Sequence, residues 1–317
     1  MSAEAAFRFA DTAPRYTSYP TAPHFHDGVN DATVRRWMAA VKDGEVVSLY
    51  IHVPFCDRLC WFCACHTHHT LRYEPVSAFL ETLFREIALT AALLPPSVQV
   101  GAVHLGGGSP TLLTPDDLHR LMGMLRETFR FTPDAAISIE IDPTDMDEAR
   151  LTAIADTGFN RASLGVQDFQ MKVQKAINRE QSFEDTRAVV EGLRARGVRA
   201  INLDLVYGLP HQTVESIAET VAMSLSLRPD RLALFGYAHV PWFKKHQKLI
   251  DEAALPDREG RMAQSARAAA LIRAAGYEAI GLDHFALPGD SLALAAARGA
   301  LRRNFQGYTD DPFETLI

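Results

Sequence analysis

The sequence predicts an α/β fold organised around a parallel sheet, and three observations carry that expectation. Six runs of strand length are apolar and rich in β-branched residues, at 46–53, 100–106, 136–141, 161–166, 199–206 and 231–237. Between them lie segments whose apolar residues recur at helical spacing, for example 75–94, 115–130, 182–196 and 213–227. The composition, 47% hydrophobic and 22% charged, is that of an ordinary folded protein and excludes collagenous, disordered and disulfide-scaffold chains. Strands buried on both faces and alternating with helices form parallel βαβ units, so an α/β barrel or a doubly wound sheet follows.

Taken in order, the first strand (VVSLYIHV, 46–53) runs directly into a cysteine-rich loop. The second ends in Gly106-Gly107-Gly108, which could be no more than a tight strand-to-helix turn. It is not G-x-G-x-x-G, so a dinucleotide site of the Rossmann kind is weakly supported. The next helix begins well: Thr114 as N-cap, Pro115 at the first helical position, then two acids suited to the helix dipole. Two later strands, SIEID and NLDLV, carry Glu140 and Asp204 in apolar surroundings. A charge so placed is costly unless it meets a cation or a polar ligand, and a structural ion pair is the alternative for Glu140. The turn-rich stretch ALPGD at 286–290 marks a boundary, and no internal repeat or low-complexity linker interrupts the chain.

At 317 residues the length accommodates two ordinary domains or one α/β barrel. A formal net charge of −7 argues against wrapping a nucleic-acid backbone and leaves open a small anionic substrate, which needs few local cations. No run approaches the ~18–20 apolar residues of a membrane-spanning helix. Arg8 and Asp11 stand where a secretory signal would carry its apolar core. A cytoplasmic protein with no membrane and no nucleic-acid partner is expected, where structural disulfides are rare.

All four cysteines lie in PFCDRLCWFCACHTHH, as Cys56, Cys60, Cys63 and Cys65. Packing cysteines would be scattered, so a cluster reads as a metal or redox site. Zinc sites usually pair C-x2-4-C with a second, distant pair, and none exists here. His66, His68 or His69 could complete a Cys3His site, although so tight a run would crowd a tetrahedron. Three thiolates spaced C-x3-C-x2-C can instead hold three irons of a [4Fe–4S] cube and leave the fourth open to a ligand.

C-x3-C-x2-C just after a strand resembles the radical S-adenosylmethionine (SAM) superfamily. Further blocks are similar to the family of oxygen-independent coproporphyrinogen III oxidases. They include PRYTSYPTA at 14–22, SLYIHVPFC at 48–56, the extra Cys65, HLGGGSPT at 104–111, SIEIDP at 138–143 and SLGVQDF at 163–169. INREQ at 177–181, NLDLVYGLP at 202–210, GYAHVP at 236–241, GLDHFA at 281–286 and RNFQGYT at 303–309 follow in the family's order.

The resemblance implies a partial (β/α)6 TIM-like barrel over 46–285, preceded by an N-terminal arm at 1–45. Residues 286–317 would begin a C-terminal region whose remainder, a mostly helical domain over the site mouth, is missing; the chain reads as a truncated piece that binds a cluster but turns over poorly. It implies Cys56, Cys60 and Cys63 as cluster ligands, with Cys65 unligated yet needed for activity; a spare fourth ligand is the rival role. A first SAM would meet Tyr50, Glu140 and the backbone around Ala238, and the glycine turn at Gly107 and Gly108 would meet the amino group of SAM. A second would meet Gly108, Ser109 (usually Thr in the family), Gln167, Arg179 and Asp204. Arg179 suits a carboxylate because its planar fork can grip both oxygens. Phe62 would shield the cluster or stack on adenine. The reaction implied is oxidative decarboxylation of two propionates of coproporphyrinogen III to the vinyls of protoporphyrinogen IX in anaerobic haem biosynthesis. It would use two SAM and a 5′-deoxyadenosyl radical, with electrons from a donor such as a flavodoxin or ferredoxin and the chain acting as a monomer. Arg15, Arg72 and Arg303 are candidates for propionate contacts. The three histidines at 66, 68 and 69 read as a solvated polar run, and His52, His104 and His284 as satisfied core histidines. Another radical SAM tetrapyrrole enzyme or haem chaperone, an inactive cluster- or tetrapyrrole-binding fragment, and a zinc module are the alternatives.

Overall fold

The computed structural model describes residues 20–21 and 24–317. Most of the PRYTSYPTA block and Arg15 therefore lie outside the described residues. The strands are β1 (Val46–Val53), β2 (Phe55–Cys56), β3 (His68–His69), β4 (Gln99–Gly107), β5 (Arg130–Ile141) and β6 (Arg161–Gln167). They continue with β7 (Ala200–Tyr207), β8 (Arg231–Gly236), β9 (Glu278–Ile280), β10 (His284–Ala286), β11 (Arg302–Asn304) and β12 (Gly307–Thr309). The main sheet has the order β1-β4-β5-β6-β7-β8-β10-β9. Its first six members are all parallel, and β10 and β9 add an antiparallel end. The six expected strands are these six parallel ones.

The expectation that they are buried on both faces needs correction. Along β5, β6 and β7 burial alternates residue by residue, as the pleat requires when the two faces differ. Ile137, Ile139, Ile141, Leu164, Val166, Leu203 and Leu205 face the helical layer and are buried. Between them Ser138, Glu140, Ser163, Asn202 and Asp204 line one cavity of about 500 Å³, together with His104 of β4 and Phe235 of β8. A sheet whose strands all face one cavity is curled, and polar side chains of its middle strands point into the lumen beside apolar ones. Outside it, the helix Glu74–Leu93 buries Val76, Leu80, Leu83 and Ile87, the stripe expected at helical period. Thr114 caps the helix Pro115–Thr128 as expected, accepting from Asp117 N at 3.2 Å.

The base of the lumen is closed by residues after β10. Arg231, at the start of β8, donates to Asp290 at 2.7 Å, Ser291 at 2.8 Å and Asp310 at 3.2 Å. Arg161, at the start of β6, reaches Ser291 at 2.9 Å. Thr315–Ile317 then lies along the outer edge of β1: Ser48 N donates to Thr315 O, Ile317 N to Ser48 O, and Tyr50 N to Ile317 O, at 2.9, 2.9 and 2.7 Å. The tail runs parallel to β1.

Candidate active site at the cysteine loop

The C-terminal ends of parallel strands are where α/β barrels gather their functional loops. β1 ends at Val53, β2 follows, and the loop from Cys56 to His66 returns to β3, which pairs with β2 in parallel. The glycine turn after β4 docks against this entry. Gly108 N donates to Val53 O at 2.8 Å and Ser109 N to Phe55 O at 2.7 Å. A Cβ on Gly108 would lie 2.4 Å from Phe55 O, so only glycine allows that approach. Gly107 has φ +114°, and a Cβ there would meet the His52 ring at 2.6 Å.

The loop's carbonyls are held by side chains from distant elements. Asn178 donates to Leu59 O at 2.9 Å, His69 to Asp57 O at 2.9 Å, Gln247 to Phe62 O at 2.9 Å, and His246 to Cys63 O at 2.7 Å. Lys244 Nζ reaches Cys65 O at 2.9 Å, and His52 Nε2 reaches His66 O at 2.9 Å. Arg58 spans from Glu180 O at 2.9 Å to Thr144 Oγ1 at 2.6 Å. Sequence reasoning missed Asn178, Lys244, His246 and Gln247. Asn178 offered one signal, since Asn is among the residues that tolerate left-handed backbone, and its φ is +54°.

Within the loop, Cys60 is buried, Cys56 and Cys63 are half-buried and Cys65 is exposed. A hydrogen bond from the Cys65 thiol brings Cys63 down to about 6 and drives Cys65 well above the ordinary thiol range. Burial pushes Cys56 up to about 12, with the neighbouring Cys63 and Cys60 adding to it. Burial also raises Cys60, against the pull of Arg179. Four soft donors that feel one another's charge suit thiophilic iron. Among the described residues no three His, Cys, Asp or Glu side chains are gathered as around one shared ion. Three thiols spaced C-x3-C-x2-C on one loop, each able to take its own iron, fit a [4Fe–4S] cluster with one iron left open. His66, His68 and His69 are exposed, but His68 and His69 form β3 and His69 is tied to Asp57 O, so they are more than a solvated run.

Glu140 projects from β5 toward the glycine turn. Its Oε2 accepts from Gly107 N at 3.1 Å and its Oε1 lies 3.1 Å from His104 Nε2. His104 in turn meets Ser138 Oγ at 2.7 Å and stacks on Tyr50 with ring centroids 5.8 Å apart. Tyr50 OH lies 2.9 Å from His52 Nδ1. His52 and His104 are thus satisfied histidines, and Glu140 has a structural partner while keeping an open flank. Ser109 Oγ is already committed to Asp145, at 2.6 Å. Burial, with Asp142 nearby, raises Asp145 to about 6. Asp204 accepts from Ser163 at 2.9 Å and Asn202 at 2.8 Å, and burial holds it at about 6.

Two expectations change in detail. Arg179 does not present a free fork: one terminal nitrogen donates to Asp142 at 2.9 Å and the other to Gly165 O at 2.8 Å. The first also lies 3.5 Å from Cys60 Sγ, and Arg179 Nε is buried with no hydrogen-bond partner. Phe62 does not stand clear of the core. Trp61 N is bonded to Ile177 O, which lays Trp61 and Phe62 on an apolar cluster of Val173, Ile177, Val206 and Leu209. Gln167, at the end of β6, has φ +64°, and Ala238 is exposed in the loop after β8. Arg72 and Arg303 are exposed, Arg303 lying 5.5 Å from the Tyr308 ring. The lumen cations Arg161 and Arg231 were not singled out from the sequence, and both are matched by Asp310.

Residues 50–223 match the radical SAM superfamily. The oxygen-independent coproporphyrinogen III oxidase of Paracoccus denitrificans is 51% identical over 309 residues, covering 98% of this chain and 68% of that protein. That of Bradyrhizobium diazoefficiens is 49% identical over 318 residues, covering all of this chain and 71% of the relative. The solved coproporphyrinogen III oxidase of Escherichia coli, described as a radical SAM enzyme, superposes with a TM-score of 0.92 at 40% identity, over 99% of this chain and 70% of that one.

Proposed function

Because the chain belongs to the oxygen-independent coproporphyrinogen III oxidases of the radical SAM superfamily, we propose that its cysteine loop and polar lumen carry out the oxidative decarboxylation of coproporphyrinogen III in anaerobic haem biosynthesis. The observation that carries the assignment is spatial. C-x3-C-x2-C occupies the loop leaving β1, and the glycine turn that packs on its entry is braced from below by Glu140.

Cys56, Cys60 and Cys63 would hold the [4Fe–4S] cluster and leave one iron for SAM. When bound, the pair supplies one-electron reductive cleavage and a hydrogen-abstracting radical. The chain's own residues bind, orient and exclude. Glu140, tied to Gly107 N, presents carboxylate density where an ammonium would sit, and Tyr50, Gly107 and Ala238 complete that first SAM site. Asp204, with Gly108, Ser109, Gln167 and Arg179, would form a second. There Asp204 faces a cation, whereas Arg179 acts through Asp142 and Cys60 and not as a carboxylate clamp. Phe62 and Trp61 keep water from the loop by packing on the apolar cluster beneath them. Cys65 sits outside the ligand set, its thiol turned to Cys63. Residues 46–285 form the catalytic barrel, flanked by the arm 1–45 and the region from 286. The chain works as a cytoplasmic monomer supplied by a flavodoxin- or ferredoxin-type donor.

Anaerobic reconstitution tests the reading. Iron and sulfide near four per chain, methionine and 5′-deoxyadenosine released from SAM, and vinyl groups formed from coproporphyrinogen III are expected. A colourless protein with zinc or nothing at its thiols would overturn it.

A further inference from the structure

The segment after β8 has two faces. Lys244, His246 and Gln247 turn inward and bond the carbonyls of Cys65, Cys63 and Phe62. Gln247 is fully buried in doing so. Between and beside them, Lys245 and Lys248 turn outward. Among the described residues this outer face also shows the chain's most exposed tryptophan and phenylalanine, Trp242 at 79% and Phe243 at 73%, together with Leu249 at 56%. Lys244 Nζ lies 5.4 Å from the Phe243 ring centroid, adding its charge behind the aromatic. Asp251 and Glu252 follow, but Asp251 caps Ala253 N at 3.0 Å and Glu252 pairs with His239 at 3.0 Å.

Neighbouring solvent-facing aromatics with lysines beside them are unfavourable on a free surface and typical of the centre and rim of a protein interface. The chain carries a net charge of −7, so an acidic partner is repelled by the molecule as a whole and attracted only where cations are gathered. The gathered cations here lie on the segment that grips the cysteine loop. We infer that the outer face of residues 242–249 docks a small acidic one-electron carrier protein, which delivers its electron to the cluster through the loop held on the inner face. This rests on the radical SAM reading above and names the partner and its point of entry. In the step, the carrier's reduced centre loses one electron and the cluster gains it; no covalent bond of this chain forms or breaks.

The test compares the reconstituted wild type with K245E/K248E and with W242A/F243A. SAM cleavage is driven either by reduced flavodoxin or by dithionite, and flavodoxin affinity is measured in parallel. Both variants should lose about tenfold in affinity and in flavodoxin-driven rate while keeping the dithionite-driven rate. Wild-type affinity should fall several-fold from about 50 to about 300 mM salt. Unchanged flavodoxin affinity in both variants overturns the inference, as does an equal loss with dithionite, which would mark the patch as a support of the loop alone. A wild type that binds flavodoxin through this patch but never cleaves SAM supports the docking surface and sinks the activity.

Discussion

Replacing Gly108 by alanine tests whether the glycine turn and the cysteine loop are one mechanical unit. The added Cβ would lie 2.4 Å from Phe55 O and 2.8 Å from Phe55 C and N, all backbone atoms that cannot rotate away. Relief requires the turn to lift, which breaks Gly108 N to Val53 O and Ser109 N to Phe55 O. Each bond is worth about 1 kcal/mol net and more when a donor is left buried, and overpacking adds about 1–3 kcal/mol. The cost is therefore about 3–5 kcal/mol. For 317 residues, an unfolding entropy of about 2.1 cal/mol/K per residue makes 1 kcal/mol worth roughly 1.5 °C, so Tm should fall by about 5–8 °C. Gly123 is the control. It sits inside the helix Pro115–Thr128, where a Cβ meets nothing within 4 Å. G123A should raise Tm by about 1 °C through helix propensity alone. Differential scanning calorimetry of the metal-free protein reads both, and iron content after reconstitution reads the coupling. If G108A melts within 1 °C of the wild type and loads a full cluster, the turn and the loop are not mechanically joined.

Asp142→Asn removes the anion from a buried pair with Arg179; a loss of about 3–5 kcal/mol is expected by denaturant titration, and less than about 1 kcal/mol would mean that Gly165 O and Cys60 suffice for the guanidinium. Cys60→Ser should abolish the cluster spectrum while Cys65→Ser keeps iron near four per chain; the reverse pattern would make Cys65 a ligand. Asp204, raised to about 6 by burial, must be ionised to favour a cationic ligand. Affinity for SAM at that site should be full above pH 7 and fall by up to tenfold per unit as pH drops below about 6, with one proton taken up per dissociation event, measured by calorimetry in buffers of different ionisation heat. A flat profile, or an equal one in Asp204→Asn, would remove Asp204 from the site.

The parallel strands were legible because each presents an apolar row to the helices, and Leu203 and Leu205 flank Asp204 as visibly in the sequence as in the fold. What was read as burial on both faces was in fact alternation, with the polar residues turned to a lumen that only the curled sheet creates. β5 starts at Arg130, six residues before its apolar run, because its opening residues pair with Gln99 and Val100 and need no core of their own. β9 and β10 escaped detection at three residues each, and the helix Arg258–Ala274 did so because alanine and arginine blur its amphipathic stripe. The cysteines proposed as ligands stand out in the sequence by clustering. The groups that hold their loop do not, since Asn178, Lys244, His246 and Gln247 lie well over 100 residues downstream and only the curl of the sheet brings them back. Arg179 stands out in the sequence as a candidate, but its partners depend on Asp142, whose approach no local pattern encodes.

The pairing of Thr315–Ile317 along β1 fixes a direction as well as an edge. Since the tail runs parallel to β1, a peptide bond made to Ile317 carries the backbone toward His52 and the cysteine loop, away from the base sealed by Asp310. Tyr50, whose amide holds Ile317, precedes Cys56 by six residues, about 20 Å of extended chain at ~3.3 Å each. Backbone continued in that register would thus pass beside the proposed cluster ligands, so a fluorophore placed just after Ile317 should lose emission as iron is loaded, and unchanged emission would mean that the backbone turns away.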